Sequence, residues 1–168
     1  MQISEGLPPV IKADAKILVL GTLPGQRSLS DQEYYAHPQN AFWSIMRELF
    51  GIDGDYAERC ALLMRHQIAL WDVLCASVRP GSLDADIRPD TASANDFKRF
   101  LRQYTRIERI VFNGRTAEKL FHRMVPKADH ARLQLSALPS TSPTYAAMPF
   151  AGKLNAWKEG LCILQADK

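Results

Sequence analysis

Residues 15–25 read AKILVLGTLPG, a short apolar run that ends in a turn rich in glycine and proline. The aliphatic and β-branched side chains of residues 16–20 predict a buried strand, which Gly21, Pro24 and Gly25 end. A strand that is apolar on both faces is typical of a parallel sheet covered by helices on both sides. The segment therefore predicts the centre of such a sheet, followed by a tight loop.

The rest of the chain alternates between helical and strand patterns. Apolar spacing predicts helices over residues 38–50, 55–65, 97–104, 116–124 and 154–164. Short apolar runs predict further strands over residues 68–73, 109–114 and 133–138. Residues 79–93, rich in Pro, Gly, Ser and Asp, predict a loop. The alternation predicts an α/β fold with a mostly parallel sheet of four strands, whose carboxyl ends share one edge where ligands bind.

Length and composition predict a single domain over residues 1–168. A chain of this length suits one core, and no apolar run approaches the roughly 18–20 residues needed to cross a bilayer. The first residues lack the basic and then apolar pattern of a signal peptide. We therefore expect a cytoplasmic monomer without membrane contacts.

Positive charge is concentrated in one stretch of the chain. The net charge is only +3, but residues 98–132 contain ten Lys or Arg and three acids. Such a stretch favours a basic face that binds a polyanion such as nucleic acid, although solvated helices also carry many charges. The motifs must decide between these alternatives.

Several common catalytic motifs are missing from the sequence. The turn GTLPG is neither GxGxxG nor a phosphate-binding loop, and no GxSxG elbow accompanies the serines. The four histidines lack HExxH spacing, and the three cysteines form no CxxC pair. We therefore expect no metal and no cofactor.

Residues 34–43, YYAHPQNAFW, crowd rings and amides at the predicted start of a helix. Pro38 suits a first helical turn and disfavours helical geometry at the residue before it, so we expect His37 in the preceding turn and Asn40 in the first helical turn. Either both side chains face the ligand edge of the sheet, or they only shape the turn and the helix start. The two aromatic residues that end the segment are expected to pack in the core.

Three segments in order, GTLPG (21–25), YYAHPQNAFW (34–43) and LPSTSP (138–143), resemble the uracil-DNA glycosylase superfamily. The resemblance is greatest to its hypoxanthine-DNA glycosylase branch, family six, and covers about residues 16–155. It implies an α/β/α sandwich that binds double-stranded DNA, flips a deaminated base into a pocket and hydrolyses its N-glycosidic bond. Catalysis of this kind needs a ring platform, a reader of the base edge, stabilisation of the leaving group and an attacking water.

The resemblance also implies roles for individual residues. Tyr35 corresponds to the family's stacking ring, with Tyr34 as a second choice, and Asn40 matches the asparagine considered catalytic in the hypoxanthine branch. His37 could protonate the departing purine. The loop after the first strand is expected to border the base through Gly21, Thr22, Leu23, Pro24 and Gly25.

The sequence departs from the family pattern at two places. Thr22 and Leu23 stand in a loop where relatives commonly hold Asp, Asn or Glu, which moves the catalytic task to Asn40 and argues against ordinary uracil-specific enzymes. Ser140 stands where many relatives carry His or Asn, so we expect less help for the departing base from this position.

The last motif implies contacts with DNA. The loop from Ser140 is expected to enter the duplex, with Ser142 and Pro143 against the backbone and Thr144 or Tyr145 filling the vacated stack. Asn113 either reads a base edge or only shapes the turn after its strand.

Two alternatives remain open from the sequence. The reaction could instead remove uracil or xanthine from mismatches, or the chain could be a DNA-binding module of the same fold without catalysis. Asp84 and Asp86 also suggest carboxylate catalysis, but their spacing in a loop favours capping or orienting the backbone.

Overall fold

The computed structural model of the chain describes residues 3–166, with side chains as far as Leu161. Its strands are Ile3–Glu5 (β1), Ile17–Gly21 (β2), Ile68–Asp72 (β3), Leu74–Val78 (β4), Ser93–Ala94 (β5), Arg109–Asn113 (β6) and Gln134–Leu138 (β7). Its α-helices are Gln26–Asp31 (α1), Phe42–Phe50 (α2), Tyr56–Arg65 (α3), Phe97–Gln103 (α4), Arg115–Met124 (α5) and Phe150–Ala166 (α6). The predicted alternation of strands and helices is confirmed.

A parallel sheet of four strands, in the order β3-β2-β6-β7, forms the centre of the fold. The register pairs Gly21 at the end of β2 with Asp72 at the end of β3. It also pairs Asn113 at the end of β6 with Leu138 at the end of β7. The predicted α/β class is confirmed, and the carboxyl ends of all four strands lie at one edge.

Helices cover both faces of this sheet, as the apolar first strand predicts. Ile17 and Val19 pack with residues of α2, α3 and α6 in one buried cluster. Leu18 and Leu20 pack on the opposite face with residues of α4 and α5. Because successive side chains of a strand point to opposite faces, an uninterrupted aliphatic strand supplies both cores at once.

A second, antiparallel sheet in the order β1-β4-β5 was not predicted. Only Val73 separates β3 from β4, and no turn signal of Gly or Pro marks the point where the chain changes from one sheet to the other. The predicted loop over residues 79–93 contains short 3-10 turns at Asp84–Asp86 and Pro89–Thr91, and it ends in β5. The short helix α1 was also missed, because six residues carry little periodic signal.

Two predicted helix starts are wrong. Helix α2 begins at Phe42 and not at Pro38, because the amide of Ala41 donates to the carbonyl of Thr141 in a distant loop. Helix α6 begins at Phe150 and not at Leu154, since its largely exposed first turn gives no amphipathic signal. The ends of the other predicted elements lie within one residue of the observed ones, apart from the C-terminus of α6.

Candidate active site

A cavity of about 300 Å³ opens at the carboxyl edge of the parallel sheet. It is bordered by the turn after β2, the ends of β3 and β6, the segment after β7 and the turn that leads into α2. This is the edge at which open α/β sheets bind ligands. Nearly all of the predicted site residues line it, namely Gly21, Thr22, Leu23, Pro24, Gly25, Tyr35, His37, Asn40, Asn113, Ser140, Ser142, Pro143 and Thr144.

Gly21 gives the cavity its floor. A Cβ atom added there would lie 2.5 Å from Oδ1 of Asp72 and 3.4 Å from the hydroxyl oxygen of Tyr35. Any side chain at this position would therefore collide with the carboxylate. The glycine is required for close approach between the end of β2 and these two polar groups.

Arg79 supports the turn after β2 from behind. Its side chain is 1% exposed, and its guanidinium donates to the carbonyl oxygens of Leu23 and Pro24. Burial lowers the pKa of Arg79, while the nearby carboxylates of Asp84 and Asp72 oppose this change. A cation thus holds the backbone of the turn in place.

Tyr35 presents a ring that Phe42 supports, since the two ring centroids lie 4.3 Å apart. The φ angle of Tyr35 is +57°, a left-handed conformation that is uncommon for a bulky residue. Its buried hydroxyl has no hydrogen-bond partner of good geometry among the described residues, although Asn113 is near enough to oppose the rise in its pKa caused by burial. Tyr34, the second choice for the platform, instead donates its hydroxyl to the carbonyl oxygens of Leu7 and Pro8.

Asn40 was expected in the first helical turn, but it lies two residues before α2, because the helix begins at Phe42. Its Oδ1 accepts the amide hydrogen of Phe42 at 2.9 Å, so the terminal NH₂ group remains as the donor on its side of the cavity. His37 is exposed, and its Nδ1 accepts the amide hydrogen of Gln39 at 3.1 Å. In the neutral ring the proton therefore resides on Nε2.

Asn113 is buried and joins the end of β6 to the loop after β7. Its Nδ2 donates to Oγ1 of Thr141, and its Oδ1 accepts the amide hydrogen of the same residue, both at 2.9 Å. Thr141 in turn accepts from Ala41 through its carbonyl oxygen. This chain of bonds fixes the segment after β7 against the turn before α2.

The segment after β7 is held by short polar contacts. The amide of Ser142 donates to Oγ of Ser140, and the hydroxyls of Ser142 and Thr144 lie 2.8 Å apart. Nζ of Lys153 donates to the carbonyl oxygen of Ser142 and lies 5.4 Å from the ring centre of Tyr145. Tyr145 is 40% exposed and is not among the described residues that line the cavity.

Two acidic residues of the cavity were missed or misinterpreted by the sequence analysis. Asp72 is 3% exposed, and its Oδ2 has no hydrogen-bond partner among the described residues. Burial, and secondly the charge of Asp84, raise the pKa of Asp72 to about 7, while Arg79 opposes the rise. Asp72 is the last residue of β3, and an acidic residue within an otherwise apolar strand pattern was the signal that could have identified it.

Asp84 does not cap the backbone as expected. Its Oδ2 accepts the hydroxyl hydrogen of Thr22 at 3.2 Å, and its Oδ1 lies 3.9 Å from the guanidinium of Arg79. The side chain is 45% exposed at the rim of the cavity, where partial desolvation raises its pKa and these two partners oppose the rise. Asp86 is not among the described residues that line the cavity.

The basic stretch of residues 98–132 is only in part a surface. Arg109 is buried and donates to the carbonyl oxygen of Gly160 and to Gln134. Arg132 donates to the carbonyl oxygens of Leu101 and Ile107. Ile107 lies just before the amino end of β6. These two arginines therefore tie the fold together at positions remote from the cavity mouth.

The described part of the chain contains no cluster of three or more His, Cys, Asp or Glu placed to hold a metal ion. Within residues 3–166, no helix is both long enough and apolar enough to cross a membrane.

Comparisons with known proteins extend over most of the chain. The family model of the uracil DNA glycosylase superfamily matches residues 8–161. A Methanosarcina barkeri protein named hypoxanthine DNA glycosylase is 36% identical over 114 residues, which cover 66% of this chain and 71% of the relative. A Methanosarcina acetivorans protein of the same name is 36% identical over 118 residues, which cover 68% and 73%.

A solved structure is similar along almost the whole chain. It is the solution NMR structure of a Methanosarcina acetivorans protein provisionally described as a uracil DNA glycosylase. The two structures superpose with a TM-score of 0.79 at 29% sequence identity, over 98% of this chain and 99% of that one.

Proposed function

The chain belongs to the uracil DNA glycosylase superfamily and is a DNA N-glycosylase, and from this premise we propose that the base it removes is hypoxanthine in deoxyinosine. The reaction hydrolyses the N-glycosidic bond and leaves an abasic site. Two relatives at 36% identity carry the name hypoxanthine DNA glycosylase, which supports this choice of base.

The observation that carries the proposal is the orientation of Asn40. Its oxygen is committed to the amide of Phe42, so its NH₂ group is the part left for a bound base. A departing purine gains negative charge, and a fixed N–H donor in a partly desolvated cavity stabilises such charge. The turn after β2 offers only Thr22 and Leu23 in place of the acid or amide of other family members, so Asn40 acts without that help.

The rest of the cavity suits a flipped base. The ring of Tyr35, backed by Phe42, provides a stacking platform. Gly21 allows the carboxyl group of Asp72 and the hydroxyl of Tyr35 to lie close to the end of β2, so both polar groups border the cavity. A purine extruded from the duplex would thus be stacked on one side and bordered by polar groups at its edge, as base-flipping enzymes require.

The segment after β7 is the proposed DNA-contacting loop. Ser142, Pro143 and Thr144 line the mouth of the cavity, and Tyr145 extends beyond it into solvent. Hydroxyl and backbone groups at the mouth suit phosphate contacts, and the exposed ring suits the space that the flipped base leaves. We propose that the chain does this as one domain and as a monomer.

The experiment is an excision assay on duplexes that contain a single inosine, uracil or xanthine, with undamaged adenine and guanine duplexes as controls. Alkali then cleaves the abasic sites, and the products are separated by length. The proposal predicts cleavage at inosine in preference to the other bases. Cleavage at uracil alone would contradict it and would favour the description given to the similar solved structure.

A further inference from the structure

Three side-chain acceptors around the cavity already accept backbone amide hydrogens. Oδ1 of Asn40 accepts from Phe42, and Nδ1 of His37 accepts from Gln39. Oδ1 of Asn113 accepts from Thr141. Hydrolysis of a glycosidic bond needs an acceptor for the proton of the attacking water, so the acidic residues of the cavity have to be considered.

The two acidic residues of the cavity occupy different environments. Asp72 lies at the floor, 3% exposed, where burial favours its neutral form. Asp84 lies at the rim with 45% of its side chain exposed, where desolvation raises its pKa and the hydroxyl of Thr22 and the guanidinium of Arg79 oppose the rise. Of two neighbouring carboxyl groups in such different surroundings, the one that contacts solvent, a hydroxyl donor and a cation suits the role of a base.

We propose that Asp84 is a catalytic residue that accepts the proton of the water attacking C1′ of the flipped nucleotide. This inference rests on the proposed function. A base that enters the cavity leaves its sugar at the mouth. Asp84 is the acid with an exposed side chain at this mouth, and it lies 62 residues along the chain from its partner Thr22. The carboxylate that the turn after β2 lacks is thus supplied from the segment between β4 and β5.

The step balances as an ordinary hydrolysis. The bond between C1′ and N9 breaks, and its electron pair leaves with the purine, while Asn40 donates to the departing base. The oxygen of water forms a bond to C1′, and one of its protons moves to a carboxylate oxygen of Asp84. The carboxyl group then returns that proton to solvent, and the purine leaves neutral after taking up a proton. The negative charge of Asp84 also stabilises the positive charge that develops on the sugar.

Thr22 and Arg79 act as positioning residues in this scheme. The Thr22 hydroxyl fixes one oxygen of Asp84 at 3.2 Å, and Arg79 lies 3.9 Å from the other. Among the described residues, the charged or titratable groups that interact electrostatically with Asp84 are Arg79, Asp72 and Tyr35, and Asp86 acts on Arg79. Each oxygen of Asp84 retains a lone pair for water.

The test compares Asp84→Asn with Asp86→Asn, a matched loss of one acid from the same loop. Single-turnover excision of hypoxanthine is measured with saturating enzyme between pH 5 and pH 8. The Asp84→Asn rate is expected to fall about 100-fold and to lose the acidic limb of the wild-type pH profile. Asp86→Asn is expected to keep the wild-type rate and profile.

Chemical rescue distinguishes a role of Asp84 as proton acceptor from a purely structural role in holding its loop. Sodium formate is expected to raise the excision rate of Asp84→Ala at least tenfold. It should not change the rate of Thr22→Val, because that variant retains the carboxylate of Asp84. Equal rates for Asp84→Asn and wild type, or a lowered Asp84→Ala rate that formate leaves unchanged, would overturn the assignment. Wild-type enzyme that releases no hypoxanthine would instead refute the proposed function, before any variant is compared.

Discussion

Replacement of Asp72 by Asn should change how stability depends on pH. The folded state raises the pKa of this carboxyl from its ordinary value of 3.8 to about 7, chiefly by burial. An acid with a raised pKa in the folded state stabilises that state at low pH, and this contribution is lost as pH rises from about 4 to about 7. The pKa difference corresponds to about 4 kcal/mol, of which about 3 kcal/mol falls between pH 5 and pH 8.5.

The assay is urea unfolding at pH 5 and at pH 8.5, with the free energy of unfolding obtained by linear extrapolation. Wild type is expected to lose about 3 kcal/mol more than Asp72→Asn between these two pH values. Asp90→Asn, which removes an exposed acid, is expected to follow the wild-type curve. Parallel curves for wild type and Asp72→Asn would refute the argument that burial keeps this carboxyl neutral.

Two further variants test the walls of the cavity. Tyr35→Ala is expected to raise the enzyme concentration needed for half-maximal excision about tenfold, because the stacking surface is lost. Tyr35→Phe retains the ring and is expected to need the same enzyme concentration as wild type. Equal values for Tyr35→Ala and wild type would show that Tyr35 is not the platform. Gly21→Ala is expected to slow excision at least tenfold, because the new methyl group would lie 2.5 Å from Asp72. Gly25→Ala, whose nearest contact would be 3.5 Å, is its control, and matching rates for the two variants would contradict the need for close approach at Gly21.

The central sheet could be predicted from sequence because its signal is local. A strand that is aliphatic at every position is typical of one buried on both faces, and the helical spacing after it identifies the covering layers. The antiparallel sheet could not be predicted in this way. Its strand β4 follows β3 after Val73 alone, and the antiparallel pairing of β4 with β1 and β5 reveals that the chain has joined another sheet.

The candidate site was predictable where one short segment carries several residues. Tyr35, His37 and Asn40 lie within six positions, and the structure places all three on the cavity. The contact of Thr22 with Asp84 spans 62 residues and depends on the path of a loop without a periodic pattern. Sequence spacing therefore suggested a backbone cap for Asp84, whereas the folded chain gives its carboxylate a side-chain partner across the cavity rim.

The most direct test of the account is the single-turnover release of hypoxanthine by Asn40→Asp and Asn40→Ala. Asn40→Asp keeps an oxygen that accepts from Phe42 and removes the N–H donor, so a loss in this variant is not a loss of the helix start. Gln39→Ala, at the exposed neighbouring position, is the control. We expect both Asn40 variants to lose about 100-fold or more in rate while binding inosine-containing duplex within about threefold of wild type. Wild-type rates in both variants would contradict the claim that this amide drives base release.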